Sequence, residues 1–273
     1  MSNASRPMLL ITNDDGIDSP FLKIFVERLL VDYNVFVAAP AGEQSWISKA
    51  ISRRGELRVE KASGFECDAW QIGGTPADCV NLAIGHLMQG ALPDVVVSGI
   101  NIGFNVTWPL ILGSGTVGGA LEGALFGIPA FALSQQLDRE DFRIVNEDRS
   151  RLGVKLKEKV GVSSKRAALI LEEILGREET FDVQRGPKVH NLNFPKNIND
   201  ETSIVECDVS WTKATSVFKR IENEADAYTF SFDQGEQMNR VSKTDLNCLL
   251  QGHITYSQLD YSLLSDLAGN AKD

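Results

Sequence analysis

The stretch MLLITNDDGIDS, residues 8–19, decides how the rest of the chain reads. Met8 to Thr12 is a short apolar run of the kind that forms a buried β-strand. Asn13, Asp14, Asp15 and Gly16 stop it at once with turn chemistry. Two adjacent carboxylates at a strand end repel each other unless something neutralises them. A hard divalent cation with oxygen ligands is the usual remedy, and strand carboxyl ends are where open α/β sheets bind ligands. The same residues also read as a solvated turn capping a helix that starts near Ser19-Pro20. On this segment alone both readings stand.

Working outward, strand and helix patterns alternate through the first 135 residues or so. Phe21, Leu22, Phe25, Val26, Leu29 and Leu30 form an apolar face at helical spacing. Val35 to Ala39 is a second strand, and Leu57–Glu60 with Ala69–Ile72 suggest a hairpin. Thr75-Pro76 opens a helix as N-cap and first residue, with Val80, Ala83, Ile84, Leu87 and Met88 inward. Asp94 to Ser98 is valine-rich, as expected of a strand covered on both faces. A helix over 116–127 packs through Val117, Leu121, Ala124 and Leu125, its glycines 118, 119, 123 and 127 allowing close approach to the sheet. Phe131–Ser134 is the next strand. This rhythm predicts a Rossmann-like three-layer α/β sandwich with a mostly parallel sheet. Residues 138–165 are dense in charge and read as a surface insertion, partly helical, and not as a core element. A helix through Ala167–Leu175 and a strand over Val189–Phe194 follow. Beyond residue 200 come short β-type runs at 203–207 and 228–232, a helix near 244–250 and a strand at 253–257. The expected organisation is a core over 7–200 and a C-terminal β-rich extension over 201–273.

A chain of 273 residues with 43% hydrophobic and 23% charged residues can bury a sizeable core. A net charge of −10 and a pI near 4.9 argue against nucleic acid or an anionic membrane as partner. An acidic protein that binds an anion needs local positive potential, from a metal ion or a helix N-terminus. Cys67, Cys79, Cys207 and Cys248 are scattered, which suits a reducing cytoplasm. No apolar run approaches the roughly 18 residues of a membrane span, and no secretory signal is expected at the N-terminus.

Four segments sit where chemistry is expected, each just after a strand: Asn13–Gly16; the loop APAGEQSWISK over 39–49, with Ser45 and Lys49; SGINIGFN over 98–105, with Asn101 and Asn105; and GSGTVGG over 113–119. The last matches GxGxxG. It comes too late in the chain for a dinucleotide site, and no acidic residue ends a following strand. It still offers a phosphate cradle, from backbone N–H groups at a helix start and the Ser114 and Thr116 hydroxyls. A tightly packed helix start is the plainer reading. Lys49 reads as an exposed lysine or a phosphate contact. His86, His190 and His253 have no partner histidine at metal spacing, so zinc hydrolysis and a Ser-His-Asp triad both fit poorly.

Taken together, ITNDDGIDSP, the Gln44-Ser45 loop, GTPADCVNLAI, PDVVVSGINIG, SGTVGGALEGALFGIPA, LNFP and the C-terminal TD and GHIT segments resemble the SurE family in family order. That family comprises stationary-phase survival proteins acting as metal-dependent 5′/3′-nucleotidases. The resemblance implies Asp14, Asp15, Ser45 and Asn101 as ligands of one divalent ion per subunit, Mg²⁺ or Mn²⁺, with catalysis at Asp14 and Asp15. It implies phosphate binding by Ser114, Gly115 and Thr116, with Asn105 close by. It also implies a nucleoside monophosphate substrate, and a homodimer or homotetramer built through the C-terminal extension. The chain departs from the family at Ala41-Gly42-Glu43, where Asp-Arg-Asn is frequent, at Trp46 in place of glycine, at Lys49 in place of a frequent histidine, and across 106–113. Two other readings are a haloacid-dehalogenase-like phosphatase with an aspartyl nucleophile and a non-catalytic metal–nucleotide sensor. The first spaces its aspartates by one residue, whereas here they are adjacent.

Overall fold

Side chains of the first strand, β1 (Met8–Thr12), alternate between two apolar cores. Leu9 and Ile11 enter one and Leu10 the other. This holds in the computed structural model, which describes residues 6–147, 152–176, 186–222, 224, 226–232, 235–238 and 243–262. After β1 come α1 (Pro20–Leu29), β2 (Asn34–Pro40), the hairpin β3 (Val59–Lys61) and β4 (Asp68–Ile72), and α2 (Pro76–Leu82), which a π-type segment continues over Ala83–Leu87. Next are β5 (Val95–Ile102), α3 (Trp108–Gly113), α4 (Gly115–Leu125), β6 (Ala130–Gln135), α5 (Arg139–Glu147) and α6 (Val154–Leu175). The remainder holds β7 (Lys188–Phe194), β8 (Ile204–Glu206), β9 (Thr212–Lys213), β10 (Phe218–Arg220), β11 (Tyr228–Phe230), β12 (Glu236–Gln237), α7 (Asp245–Leu250) and β13 (Ile254–Asp260).

Among the described residues, one nine-stranded sheet runs in the order β3-β4-β2-β1-β5-β6-β7-β13-β8. Every neighbouring pair from β4 to β7 is parallel. β3 lies antiparallel to β4, and β13 antiparallel to β7. Helices α1 and α6 pack on each other over one face, burying Phe21, Phe25, Leu171 and Ile174. Helices α2 and α4 pack on each other and cover the opposite face. The expected three-layer α/β architecture is therefore present. α2 starts as the sequence predicts. Thr75 caps it by accepting from the Asp78 N–H, and Asp78 returns a bond from the Thr75 N–H, a reciprocal capping box.

Of the segment 201–273, β8 and β13 continue the central sheet, while β10–β11 and β9–β12 form two small ribbons outside it. The division near residue 200 thus follows a change of strand type, not a break in the sheet. Residues 223, 225, 233–234, 239–242 and 263–273 of that segment lie outside the described residues.

Several expectations are corrected. The charged stretch 138–165 is not merely a surface insertion. Its second half is the start of α6, with Leu156 and Val160 fully in the core, and Val145 and Leu152 are buried too. Residues 148–151 of the stretch lie outside the described residues. Leu125 does not pack inward. It follows Ala124 at the end of α4, off the Val117–Ala120–Ala124 stripe, and is exposed. Leu87 is only half-buried. Gly119 and Gly123 do abut the sheet, at Thr12 and Val96, but a side chain at Gly118 would collide with the Ser48 backbone, so that glycine serves the 39–49 loop. Gly127 lies beyond the end of α4. His253 precedes β13 instead of lying within it. Among the described residues no helix is long and apolar enough to cross a membrane.

Candidate active site

β1 has β2 on one side and β5 on the other, so strand order reverses at β1. The crevice at the carboxyl ends of β1 and β5 is the place where such sheets bind ligands. Asp14 and Asp15 follow β1, and Asn101 lies near the end of β5. Asn13 shapes the β1 turn: its Oδ1 accepts from the Gly16 N–H at 3.2 Å, and its Nδ2 donates to the Gly16 carbonyl at 3.0 Å. β5 carries one extra residue relative to β6, since Ser98 pairs with Ala132 and Asn101 with Ser134. Such a bulge re-aims the side chains that follow it. Gly99 sits in the bulge at φ +136°, and a Cβ there would run into the Leu133 carbonyl. The bulged strand then holds the pair, because the Ile102 N–H donates to Asp15 Oδ2 at 2.9 Å.

Asp14, Asp15, Ser45, Asn101, Asn105 and Ser114 line one cavity of about 800 Å³. That size lies within the range of roughly 300–1,000 Å³ usual for small-molecule sites. The structure therefore brings together six of the nine residues expected from the sequence. Lys49, Gly115 and Thr116 are not among its lining residues.

Each exception has a physical cause. Lys49 does not reach for phosphate: its Nζ pairs with Glu122 Oε2 at 2.6 Å, and Glu122 Oε1 accepts from Asn81 Nδ2 at 2.7 Å. A lysine beside a buried glutamate is held as its counter-ion. Thr116 is bonded to Asp14. Its hydroxyl donates to Oδ1 at 2.6 Å and its N–H to Oδ2 at 3.1 Å. Gly115 lets helix and loop converge, since a Cβ there would lie 2.8 Å from both Asp14 Cβ and the Gln44 carbonyl. Ser114 caps α4 by accepting from the Val117 N–H at 3.1 Å, and so sets the helix N-terminus at the cavity wall.

Electrostatically the floor is anionic. Burial pushes the Asp14 carboxyl from 3.8 to about 6, against the lowering effect of the Thr116 bonds, and the nearby Glu43 charge pushes the same way. Glu43 lines the cavity and accepts from the Ser45 hydroxyl at 2.7 Å. A buried carboxylate beside other carboxylates fits a bound cation. Among the described residues no three His, Cys, Asp or Glu side chains converge as a metal site. The donors on offer are two carboxylates, a hydroxyl and a side-chain amide. This all-oxygen set fits a hard cation and favours Mg²⁺ or Mn²⁺ over zinc.

Asn105 is held by a buried amide network. Its N–H donates to Asn193 Oδ1 at 2.7 Å, its Nδ2 to Ser134 Oγ at 2.9 Å, and its carbonyl accepts from Asn191 Nδ2 at 2.8 Å. Next to it, the buried Asp245 accepts the N–H groups of Thr107, Ser210 and Leu246 at 2.9, 2.8 and 2.7 Å. Burial raises the Asp245 carboxyl while these bonds lower it. Sequence reading missed Asn191, Asn193 and Asp245 as supports, and Arg139, Phe142, Phe230 and Phe232 as lining residues. The Asn-x-Asn alternation in β7 is a signal that could have been used, since those side chains share one face of a buried strand.

With the geometry in place, comparison with known proteins is decisive. A family profile described as "Survival protein SurE" matches residues 9–220. The chain belongs to the SurE family. This SurE chain is 33% identical over 261 residues to a Clostridium botulinum protein named 5′-nucleotidase SurE, covering 93% of each. It is 35% identical over 209 residues to a Methanosarcina barkeri protein of the same name, covering 75% of this chain and 73% of that one. The crystal structure of the SurE protein from Aquifex aeolicus superposes with a TM-score of 0.70 at 24% identity, over 96% of this chain and 98% of that one. That last likeness carries the fold.

Proposed function

We propose that this SurE chain is a divalent-metal-dependent phosphomonoesterase that hydrolyses nucleoside 5′(3′)-monophosphates to nucleoside and phosphate. The observation that carries this reading is the meeting of Asp14, Asp15, Ser45 and Asn101 in one cavity at the strand-order reversal, beside the α4 N-terminus. The names of the relatives point the same way. Asp14 and Asp15, with Ser45 and Asn101, would hold one Mg²⁺ or Mn²⁺ per subunit. When bound, the ion supplies charge neutralisation at phosphate oxygens and lowers the pKa of a coordinated water.

The chain's own residues do the rest. Thr116 fixes the Asp14 carboxylate through two bonds, and the Ile102 N–H fixes Asp15. The Ser114 end of α4 faces phosphate with positive dipole. Asn105, anchored by Asn193, presents its side chain to the same space. One of the two aspartates orients or takes the proton of the attacking water. No observation favours the aspartyl-phosphate or the sensor reading.

A phosphate-release panel over nucleoside monophosphates, with and without Mg²⁺ or Mn²⁺, tests this. Metal-dependent release from nucleotides is expected. Metal-independent release, or trapping of a phospho-aspartate, contradicts the reading. We also propose a cytoplasmic homodimer or homotetramer, the assembly supported by the exposed Trp211 and Tyr228 side chains, which do not line the cavity. Light scattering at micromolar concentration checks the assembly, and a mass near 29.9 kDa contradicts it.

A further inference from the structure

The cavity has two unlike halves. Its floor is the polar set around Asp14 and Asp15, and its mouth is walled by Trp46, Phe230 and Phe232. Trp46 comes from the loop after β2, and the two phenylalanines from the end of β11 and the residues just beyond it. They meet across some 184 residues of sequence: ring centroids lie 5.2 Å apart for Trp46–Phe230 and 5.5 Å for Trp46–Phe232. Phe218 extends the cluster against Phe230 at 6.4 Å.

These rings are not filling a core. Trp46, Phe230 and Phe232 remain 43%, 49% and 41% exposed although each touches another ring. Trp46 also holds φ +61°, a left-handed conformation that glycine adopts without penalty and tryptophan does not. A large indole kept in an unfavourable backbone conformation, half open to a binding cavity, calls for a ligand-side explanation. Its chain neighbour Ser45 lines the same cavity, so whatever binds at Ser45 lies beside the indole.

We infer that Trp46, Phe230 and Phe232 form a stacking site for the nucleobase of the substrate, with Trp46 the specificity-determining residue. The inference rests on the proposed phosphomonoesterase reading and deepens it. A phosphate seated on the floor directs its leaving group toward the mouth. A planar aromatic base satisfies that wall, whereas a bare sugar leaves it wet. Stacking of bases on aromatic side chains is strong and tolerant of base identity. The ring cluster therefore selects nucleotides over phosphate esters without a base, and does so through binding.

The test compares kcat/KM for adenosine 5′-monophosphate with that for ribose 5-phosphate in the wild type, Trp46→Gly and Phe232→Ala. Glycine suits φ +61°, so Trp46→Gly keeps the backbone unstrained. The nucleotide-to-sugar ratio is expected to fall roughly 5- to 150-fold in Trp46→Gly, carried by KM, the range that loss of one stacked base implies. Phe232→Ala is expected to move the ratio the same way by less. A ratio within about twofold of wild type in both variants overturns the inference.

A second readout is independent of turnover. Adenosine titrated into the protein is expected to quench a component of the indole emission that Trp46→Gly lacks, and equal quenching in both proteins overturns the stack. If the wild type hydrolyses neither ester, the phosphomonoesterase reading fails, and the adenosine titration still decides the stacking site.

Discussion

Thr116 lies in the glycine-rich motif and bonds the Asp14 carboxylate. Both its hydroxyl and its N–H donate to that carboxylate, so its loss is expected to act through the proposed cation ligand. Thr116→Val is predicted to weaken the apparent affinity for activating Mn²⁺ by about 10- to 100-fold, the usual cost of removing a partner that orients a ligand. The KM for nucleotide at saturating Mn²⁺ should change little; metal-activation curves check this, and the opposite pattern restores the phosphate role. His190 offers a second residue-level prediction. It is stacked between Phe131 and Tyr256, and burial together with the Lys188 charge lowers it from 6.5 to about 4. A histidine held neutral in the fold but free to protonate when unfolded contributes stability that is present above pH 6.5 and lost as pH falls toward 4. The loss amounts to about 3 kcal/mol at most. Urea midpoints of His190→Gln, whose amide can still meet the Tyr256 hydroxyl, should show a flatter slope between pH 4 and 6.5 than the wild type.

At the scale of elements, the Lys49–Glu122 pair ties the site loop to α4. Glu122 is buried while Lys49 is partly exposed. Lys49→Met is predicted to cost about 2 kcal/mol, below the usual figure for breaking a buried pair because water reaches the lysine. Adding Glu122→Gln should recover most of that, since the stranded charge disappears; thermal denaturation of the single and double variants measures it. Legibility in the sequence followed locality. β1, the Thr75 cap and the Asp14-Asp15 turn were readable because strand pattern, cap chemistry and turn residues lie within a few positions of one another. The first half of α6 was not. Lys155, Lys157, Glu158 and Lys159 dominate its composition, and Ser163 and Ser164 interrupt the apolar stripe. Ser164 is satisfied within the helix, on the Val160 carbonyl one turn back, whereas Ser163 also reaches Gln135 Oε1 at the end of β6. The Gln135 bond is tertiary and leaves no periodic trace. The meeting of Trp46 with Phe230 and Phe232, and of Lys49 with Glu122, likewise exists only after folding.

For the molecule as a whole, a parallel sheet reversing order at β1 puts two carboxylates, a serine, an asparagine and a helix N-terminus into one crevice. The acidic chain thereby gains a place where an anionic ester can be held, provided a cation joins the carboxylates. The most direct test is phosphate release from a nucleoside 5′-monophosphate by metal-stripped protein titrated with Mn²⁺, run on the wild type, Asp14→Asn and Asp15→Asn. The asparagine oxygen can accept the Thr116 N–H at position 14 or the Ile102 N–H at position 15, and at position 14 the amide NH2 can donate to the Thr116 hydroxyl. Both variants should therefore fold, which circular dichroism verifies. Activity in the wild type is predicted to return in proportion to one ion per subunit and to fall at least about 100-fold in either variant, even at saturating Mn²⁺. Turnover by the stripped wild type, or near-wild-type turnover by a folded variant, would contradict the account.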